Sequence, residues 1–213
     1  MTPKLENAIE HLYLAFRDIP KPDKIEGCPC CLEGGKGDVL LAKPLREISP
    51  EDLGKYASSV FLTRGAIPDF LYFLPRLLEI AATDLEWWPG PEILGRALKD
   101  ARFKSWSIPH TGALVLYLDA VFDDAMTRGN AGGLIDSWIC AWGKMYDDIT
   151  PGLERLIQHS PLVLSFYEHN NACLAKGKLS NSFWDHSSPT YRQTLDWFHS
   201  REVQNIIKSA YGL

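Results

Sequence analysis

Beyond its first few residues, four pairs of a hydroxyl residue followed by proline divide this sequence into segments. They are Ser49-Pro50, Thr150-Pro151, Ser160-Pro161 and Ser188-Pro189. A serine or threonine side chain can accept a hydrogen bond from an otherwise unpaired amide at a helix start, and proline at the first helical position loses no hydrogen bond. Each pair therefore predicts the beginning of a helix.

Apolar residues recur at helical spacing between these pairs, whereas alternating strand patterns are weak. The predicted helices are 3–16, 51–62, 68–82, 91–103, 109–126, 132–146, 151–159, 161–174, 189–200 and 201–211. Pro75 is expected to kink or split the third of them because it removes one bond of the helical ladder. The sequence predicts an all-α protein, an irregular multi-helix bundle of one domain over 1–213 with a non-helical Cys/Gly-rich segment at about 20–44. A period of roughly 40 residues between helix pairs leaves HEAT-like stacking open as an alternative.

Charge and the pattern of apolar runs exclude several classes of protein. The chain has 213 residues and a formal net charge of -5, whereas a dedicated nucleic-acid binder usually carries a strong basic excess. The first twenty residues mix charged with apolar side chains, so they do not resemble a signal peptide, and the apolar runs are too short for a membrane span. Five cysteines, three of them within four residues, do not form the even framework of a small secreted protein. We expect a cytoplasmic protein without a membrane partner.

The turn from Gly27 to Cys31 carries the most unusual motif. Cys28 and Cys31 have the two-residue gap with which two thiolates bind a tetrahedral Zn²⁺. A structural zinc site needs four ligands, so Cys30 and His11 are the candidates to complete it. A redox dithiol is a second interpretation, and thiols packed beside a turn are the third. Packed thiols are the favoured interpretation, so no cofactor is expected, and zinc is the alternative.

Three aspartates lie on one predicted helix and suggest a charged surface. Asp119 and Asp123 share a helical face, and Asp124 adjoins them. A solvated acidic face is the simpler interpretation, and a docking surface for a basic protein is the functional one. Trp87 and Trp88 form a second candidate for partner binding, because adjacent bulky rings cannot both point in one direction and one of them can be exposed.

Three stretches together resemble a known family. They are the Cys28 to Cys31 turn, Lys43-Pro44-Leu45-Arg46, and residues 56–80 with their Asp-Phe-x-x-Phe-Leu-Pro-Arg motif. They are similar to a widespread bacterial family of helical proteins in which a Cys/His-rich turn precedes a Pro-Leu-Arg and a Phe-Leu-Pro-Arg helix. The family often has an acidic residue after the glycine, where this chain has Gly65-Ala66. The resemblance covers about the first 80 residues and implies a compact bacterial cytosolic protein. The family has no assigned activity, so no site residue is transferred.

Two functional hypotheses follow from these features. No His-x-x-x-His pair, Gly-x-Ser-x-Gly elbow or other catalytic constellation appears, so no catalytic residue is named. The favoured hypothesis is a non-catalytic helical module that binds a protein, with a toxin-neutralising immunity protein and its basic toxin domain as the most specific form. The alternative is a small helical metal-binding or redox protein or enzyme organised around Cys28, Cys30 and Cys31.

Overall fold

Helices account for nearly all regular structure in the computed structural model, which describes residues 1–27, 38–128 and 131–212. Eleven α-helices lie in the described residues: α1 (Pro3–Ala15), α2 (Asp38–Ala42), α3 (Pro50–Ser59), α4 (Ile67–Thr83), α5 (Pro91–Asp100), α6 (Ile108–Met126), α7 (Gly132–Met145), α8 (Thr150–Ile157), α9 (Ser160–Leu174), α10 (Pro189–His199) and α11 (Arg201–Tyr211). Isolated bridges at Gly27–Arg64 and Val60–Arg64 are the only β-type pairings in this part of the chain. The all-α prediction is confirmed. None of these helices is both long and apolar enough to cross a bilayer.

The hydroxyl–proline pairs predict the helix starts to within one residue. The Ser49 side chain accepts from the amide of Asp52 at 3.2 Å, and the Ser188 side chain accepts from the amide of Tyr191 at 3.1 Å. Thr150 and Ser160 instead belong to their helices. The amide of Thr150 donates to Asp148 Oδ1 at 2.9 Å, so an upstream carboxylate takes the role that was predicted for Thr150.

One local prediction is wrong. Residues Asp38–Ala42 form the short helix α2 inside the segment that was predicted to be non-helical, and buried Leu40 lies on it. Pro75 does not split α4, which is helical on both sides of it, and the alternative of a kink there stays a prediction. An interior proline costs about 3 kcal/mol. Burial of a large apolar side chain contributes about 1.5–3 kcal/mol, and Phe73, Leu74 and Leu77 are all fully buried around Pro75. Packing therefore outweighs the local cost.

The described chain divides into two compact units, Met1–Val121 and Phe122–Leu213, and the division falls within α6. Compact units are not by themselves independently folding domains, so the prediction of one domain over 1–213 stays a prediction. Each unit has an apolar interior with its own aromatic residues. Tyr56, Phe70 and Phe73 are fully buried in the first unit, and Phe122, Phe166 and Phe198 are buried in the second.

The first unit is built on α4, against which α1, α3 and the 3₁₀ turn Leu45–Glu47 pack. Tyr117 of α6 is fully buried, and its hydroxyl donates to the carbonyl of Leu78 at 2.7 Å. The start of α3 lies beside the loop that joins α4 to α5, because the indole of Trp87 in this loop bonds the carbonyl of Pro50. This packing fixes the loop that carries the tryptophan pair.

The second unit is centred on α9, which packs against α7, α8 and α11. Asn170 on α9 is fully buried; its amide donates to Asp136 Oδ1 at 3.0 Å, and its carbonyl oxygen accepts from the amide of Ser180 at 2.8 Å. A Cβ on Gly132 would lie 2.2 Å from the carbonyl of Ser165, so glycine is required where α7 and α9 approach most closely. One helix at the centre of the others fits an irregular bundle.

Candidate functional site

The loop between α4 and α5 holds its two tryptophans in opposite environments. Trp87 is 9% exposed, and its indole nitrogen donates to the carbonyl of Pro50 at 2.8 Å. Trp88, the next residue, is 59% exposed. The buried ring of Trp87 thus anchors the loop, while the ring of Trp88 lies at the surface. This agrees with the expectation that two adjacent bulky side chains do not both point in one direction.

The backbone around Trp88 is fixed as closely as the ring of Trp87. The amide of Trp87 donates to the carbonyl of Asp84 at 3.2 Å, and the Asp84 side chain accepts from the amide of Glu86 at 3.2 Å. A Cβ on Gly54 of α3 would lie 2.6 Å from the carbonyl oxygen of Trp88. The absence of a side chain at Gly54 lets the loop lie directly on α3. Trp88 therefore follows hydrogen-bonded loop residues, and its own carbonyl lies close to α3.

Trp88 has an apolar neighbour in sequence and several acidic ones. Leu85 is 48% exposed on the same loop. Asp84 and Glu86 flank Leu85 and are exposed, and Glu51 is exposed beside Pro50, the residue that anchors Trp87. An exposed aromatic residue with an apolar neighbour and a charged border is the composition of a protein-binding hot spot. We call Glu51, Asp84, Leu85, Glu86 and Trp88 the Trp88 surface.

The acidic helix differs from the Trp88 surface, because each of its three aspartates bonds a cation of the same chain. Lys4 donates to Asp119 at 2.5 Å, Arg155 pairs with Asp123, and Arg128 donates to Asp124 at 2.5 and 2.8 Å. Asp124 is almost wholly buried. These ion pairs give the three carboxylates partners within the chain, and their predicted role in binding another protein stays a prediction.

Of the four predicted zinc ligands, the structure describes His11 alone. Cys28, Cys30 and Cys31 lie outside the described residues. His11 lies on α1 with an exposed side chain. Among the described residues, no group of three or more His, Cys, Asp or Glu side chains is placed to hold a metal ion. The zinc site stays a prediction.

The Pro-Leu-Arg and Phe-Leu-Pro-Arg motifs meet on α1. Arg46 forms a two-pronged ion pair with Glu10 at 2.8 and 2.6 Å, and its guanidinium carbon lies 3.7 Å from the ring centre of Tyr13. The hydroxyl of Tyr13 donates at 2.5 Å to Glu79, which also accepts from Arg76 at 2.7 Å. Burial, followed by the bond to Glu79, raises the pKa of Tyr13 well above its usual range. The two motifs therefore attach α1 to α4.

A second buried polar pair closes the α3–α4 loop. The hydroxyl of Tyr56 donates to Asp69 Oδ2 at 2.6 Å, and the amide of Ala66 donates to Asp69 Oδ1 at 2.8 Å. Gly65 lies beside this pair with a φ of +83°. Its amide donates to the carbonyl of Glu26 at 2.7 Å, which ties the residues just before the cysteine turn to this loop. The Tyr56–Asp69 pair therefore holds the α3–α4 loop in position.

Sequence reasoning missed the neighbours of Trp88. Leu85, Asp84 and Glu86 stand within four residues of it, in the stretch between the end of α4 and Pro91. That proximity was a usable signal, because a polar stretch between two helices predicts a surface loop. Glu51 lies more than thirty residues away in sequence, so only the bond between Trp87 and Pro50 places it here.

Comparison of the chain with protein-family models, with curated proteins and with solved structures finds no match.

Proposed function

We propose that this protein is a non-catalytic helical module that binds another protein through the Trp88 surface. The observation that carries the proposal is the exposed indole of Trp88 on a loop anchored by Trp87. Tryptophan is enriched among the few interface residues that dominate binding free energy. An anchored loop loses little conformational entropy on association, so more of the contact energy is available as affinity.

The most specific form of this proposal is a toxin-neutralising immunity protein. A negative formal charge of -5 favours association with a basic domain, because opposite net charges accelerate the encounter. The resemblance of the first 80 residues to a bacterial family agrees with this form. Inhibition by an immunity protein requires a tight complex and no catalytic group.

Affinity capture from an extract of the source organism tests the proposal when it compares variants. The tagged wild-type chain is expected to retain a protein that Trp88→Ala does not. With the captured protein purified, calorimetry should show the Kd of Trp88→Ala raised by about 30-fold or more, which corresponds to about 2 kcal/mol. Protection against growth arrest when the chain is co-expressed with the captured protein would support the immunity form.

Ile108→Ala is the matched control. Ile108 lies in the same unit, at the start of α6, and is 89% exposed, so its removal also deletes a large apolar surface residue. The control should keep the wild-type affinity. Equal affinity of Trp88→Ala and the wild type for the captured protein would contradict the proposal.

A further inference from the structure

We infer that the Trp88 surface recognises a cationic protein surface, with arginine or lysine side chains of the partner packed on the indole of Trp88 and bonded to the carboxylates around it. The inference rests on the proposed function and specifies the chemistry of its partner. It depends on three observations, which concern the charge around Trp88, the lack of ion pairs there, and the chemistry of an exposed indole.

The exposed charged residues of the α4–α5 loop and of the first turns of α3 are mostly acidic. Glu51, Asp84 and Glu86 are exposed, whereas Lys55 is the exposed cation within one helical turn of Glu51 on α3. With three carboxylates and one ammonium group, the charged residues near Leu85 and Trp88 have a net negative charge. Complementary potentials across an interface increase the rate of encounter and suppress wrong partners, so this negative charge favours a positive surface.

These carboxylates also differ from others in the molecule in their bonding. Within the described residues none of Glu51, Asp84 and Glu86 forms an ion pair, although Asp84 accepts from the amide of Glu86. Asp52, next to Glu51, pairs with Lys43 at 3.0 Å. The aspartates of α6 are likewise bonded to Lys4, Arg155 and Arg128. A cation of the partner therefore has no existing ion pair of Glu51, Asp84 or Glu86 to displace among the described residues.

The exposed indole of Trp88 favours contact with a cation, and in particular with a guanidinium group. The face of tryptophan attracts a guanidinium or ammonium group through the ring quadrupole, more strongly than tyrosine or phenylalanine does. A guanidinium can stack on the ring and still donate its N–H groups to a neighbouring carboxylate. Trp88 together with Asp84 and Glu86 offers both kinds of contact on one loop. An arginine of the partner uses them together.

Titration of the full chain with a hexa-arginine peptide tests this chemistry directly. Binding of the peptide is followed through the indole N–H signals of the protein in a proton–nitrogen correlation spectrum. The signal that is missing in Trp88→Phe is assigned to Trp88. Hexa-arginine should shift that signal to saturation, and a hexa-glutamate peptide should leave it in place. The triple variant Glu51→Gln/Asp84→Asn/Glu86→Gln should weaken the apparent affinity at least about five-fold, as expected when charge-assisted bonds are lost.

A second triple variant controls for net charge. Glu6→Gln/Glu154→Gln/Glu202→Gln removes three exposed carboxylates elsewhere and changes the formal charge by the same amount. It should keep the wild-type affinity for hexa-arginine. An unmoved Trp88 signal would overturn the inference, as would equal weakening by the two triple variants.

The inference and the proposed function fail in different ways. If the protein captured from the source organism is lost by Trp88→Ala and retained with unchanged affinity by the triple variant at Glu51, Asp84 and Glu86, the binding function stands and the cationic partner is wrong. If Trp88→Ala retains that protein unchanged, the proposed function itself is wrong. Loss in both variants supports both.

Discussion

Tyr56 donates a 2.6 Å hydrogen bond to Asp69, and both side chains are buried in the first unit. Thirteen residues separate them in sequence, with the end of α3 and the whole α3–α4 loop between. The pair therefore joins two helices and fixes the loop to which Glu26 is bonded through Gly65. Its contribution can be measured without reference to any partner.

Tyr56→Phe is expected to lower the free energy of unfolding by about 1–3 kcal/mol, because it leaves the buried Asp69 Oδ2 without its phenolic donor. Chemical denaturation of the two proteins measures the difference. Tyr72→Phe is the control, since among the described residues the Tyr72 hydroxyl forms no hydrogen bond, and it should change stability by less than about 0.5 kcal/mol. Equal effects of the two substitutions would show that the bond contributes nothing.

The contribution of Asp69 should depend on pH. Burial raises the pKa of Asp69 and outweighs the opposing hydrogen bonds from Tyr56 and the amide of Ala66. A raised pKa in the folded state means that this group stabilises the fold most below its unfolded pKa and less as the pH rises through the folded value. The free energy of unfolding of the wild type relative to Asp69→Asn should therefore fall as the pH rises over the interval that begins at the unfolded pKa of about 4. Denaturation at several pH values gives the slope, and a rise over this interval would mean that the pKa is lowered.

Two glycines should respond to alanine in opposite directions. Gly65 has a φ of +83°, and a Cβ there would lie 2.8 Å from Val60 Cγ2, so Gly65→Ala should destabilise the protein by more than about 1 kcal/mol. Gly112 lies in α6 with no atom within 4 Å of a Cβ, so Gly112→Ala should stabilise by about 0.5–1 kcal/mol. Thermal unfolding of both variants tests the pair. Stabilisation by Gly65→Ala would exclude the left-handed backbone at this position.

Trp87 and Trp88 should differ in their effects on stability. Trp87→Phe removes the donor to the Pro50 carbonyl and should cost about 1–3 kcal/mol. Trp88→Ala removes an exposed ring and should change the free energy of unfolding by no more than about 0.5 kcal/mol. Denaturant titrations of the two variants distinguish the anchoring residue Trp87 from the surface residue Trp88. A large loss of stability in Trp88→Ala would mean that the ring is part of the fold rather than of a binding surface.

Much of the secondary structure follows from local chemistry and was predicted from the sequence. Ser49 and Ser188 accept from helix amides as their positions before proline indicate, and α10 and α11 begin where predicted. The local differences have a common form. At Thr150 a carboxylate two residues upstream accepts a hydrogen bond at the helix start, and at Pro75 the burial of neighbouring side chains outweighs the missing hydrogen bond. Both show that a preference assigned to one residue type can be overridden by the interactions of its neighbours.

The sequence by itself determined the all-α fold class, because helix starts and helical periodicity depend on residues within a few positions of each other. It also showed that Trp87 and Trp88 cannot both be buried on one side. Only the tertiary structure decided that Trp88 is the exposed one, since the bond from Trp87 to Pro50 joins residues 37 positions apart. In the same way only the fold pairs Asp119 with Lys4 and Asp123 with Arg155, while partner binding by these aspartates stays a prediction. Charge neutralisation acts through space, so the partners of a carboxylate are set by the fold.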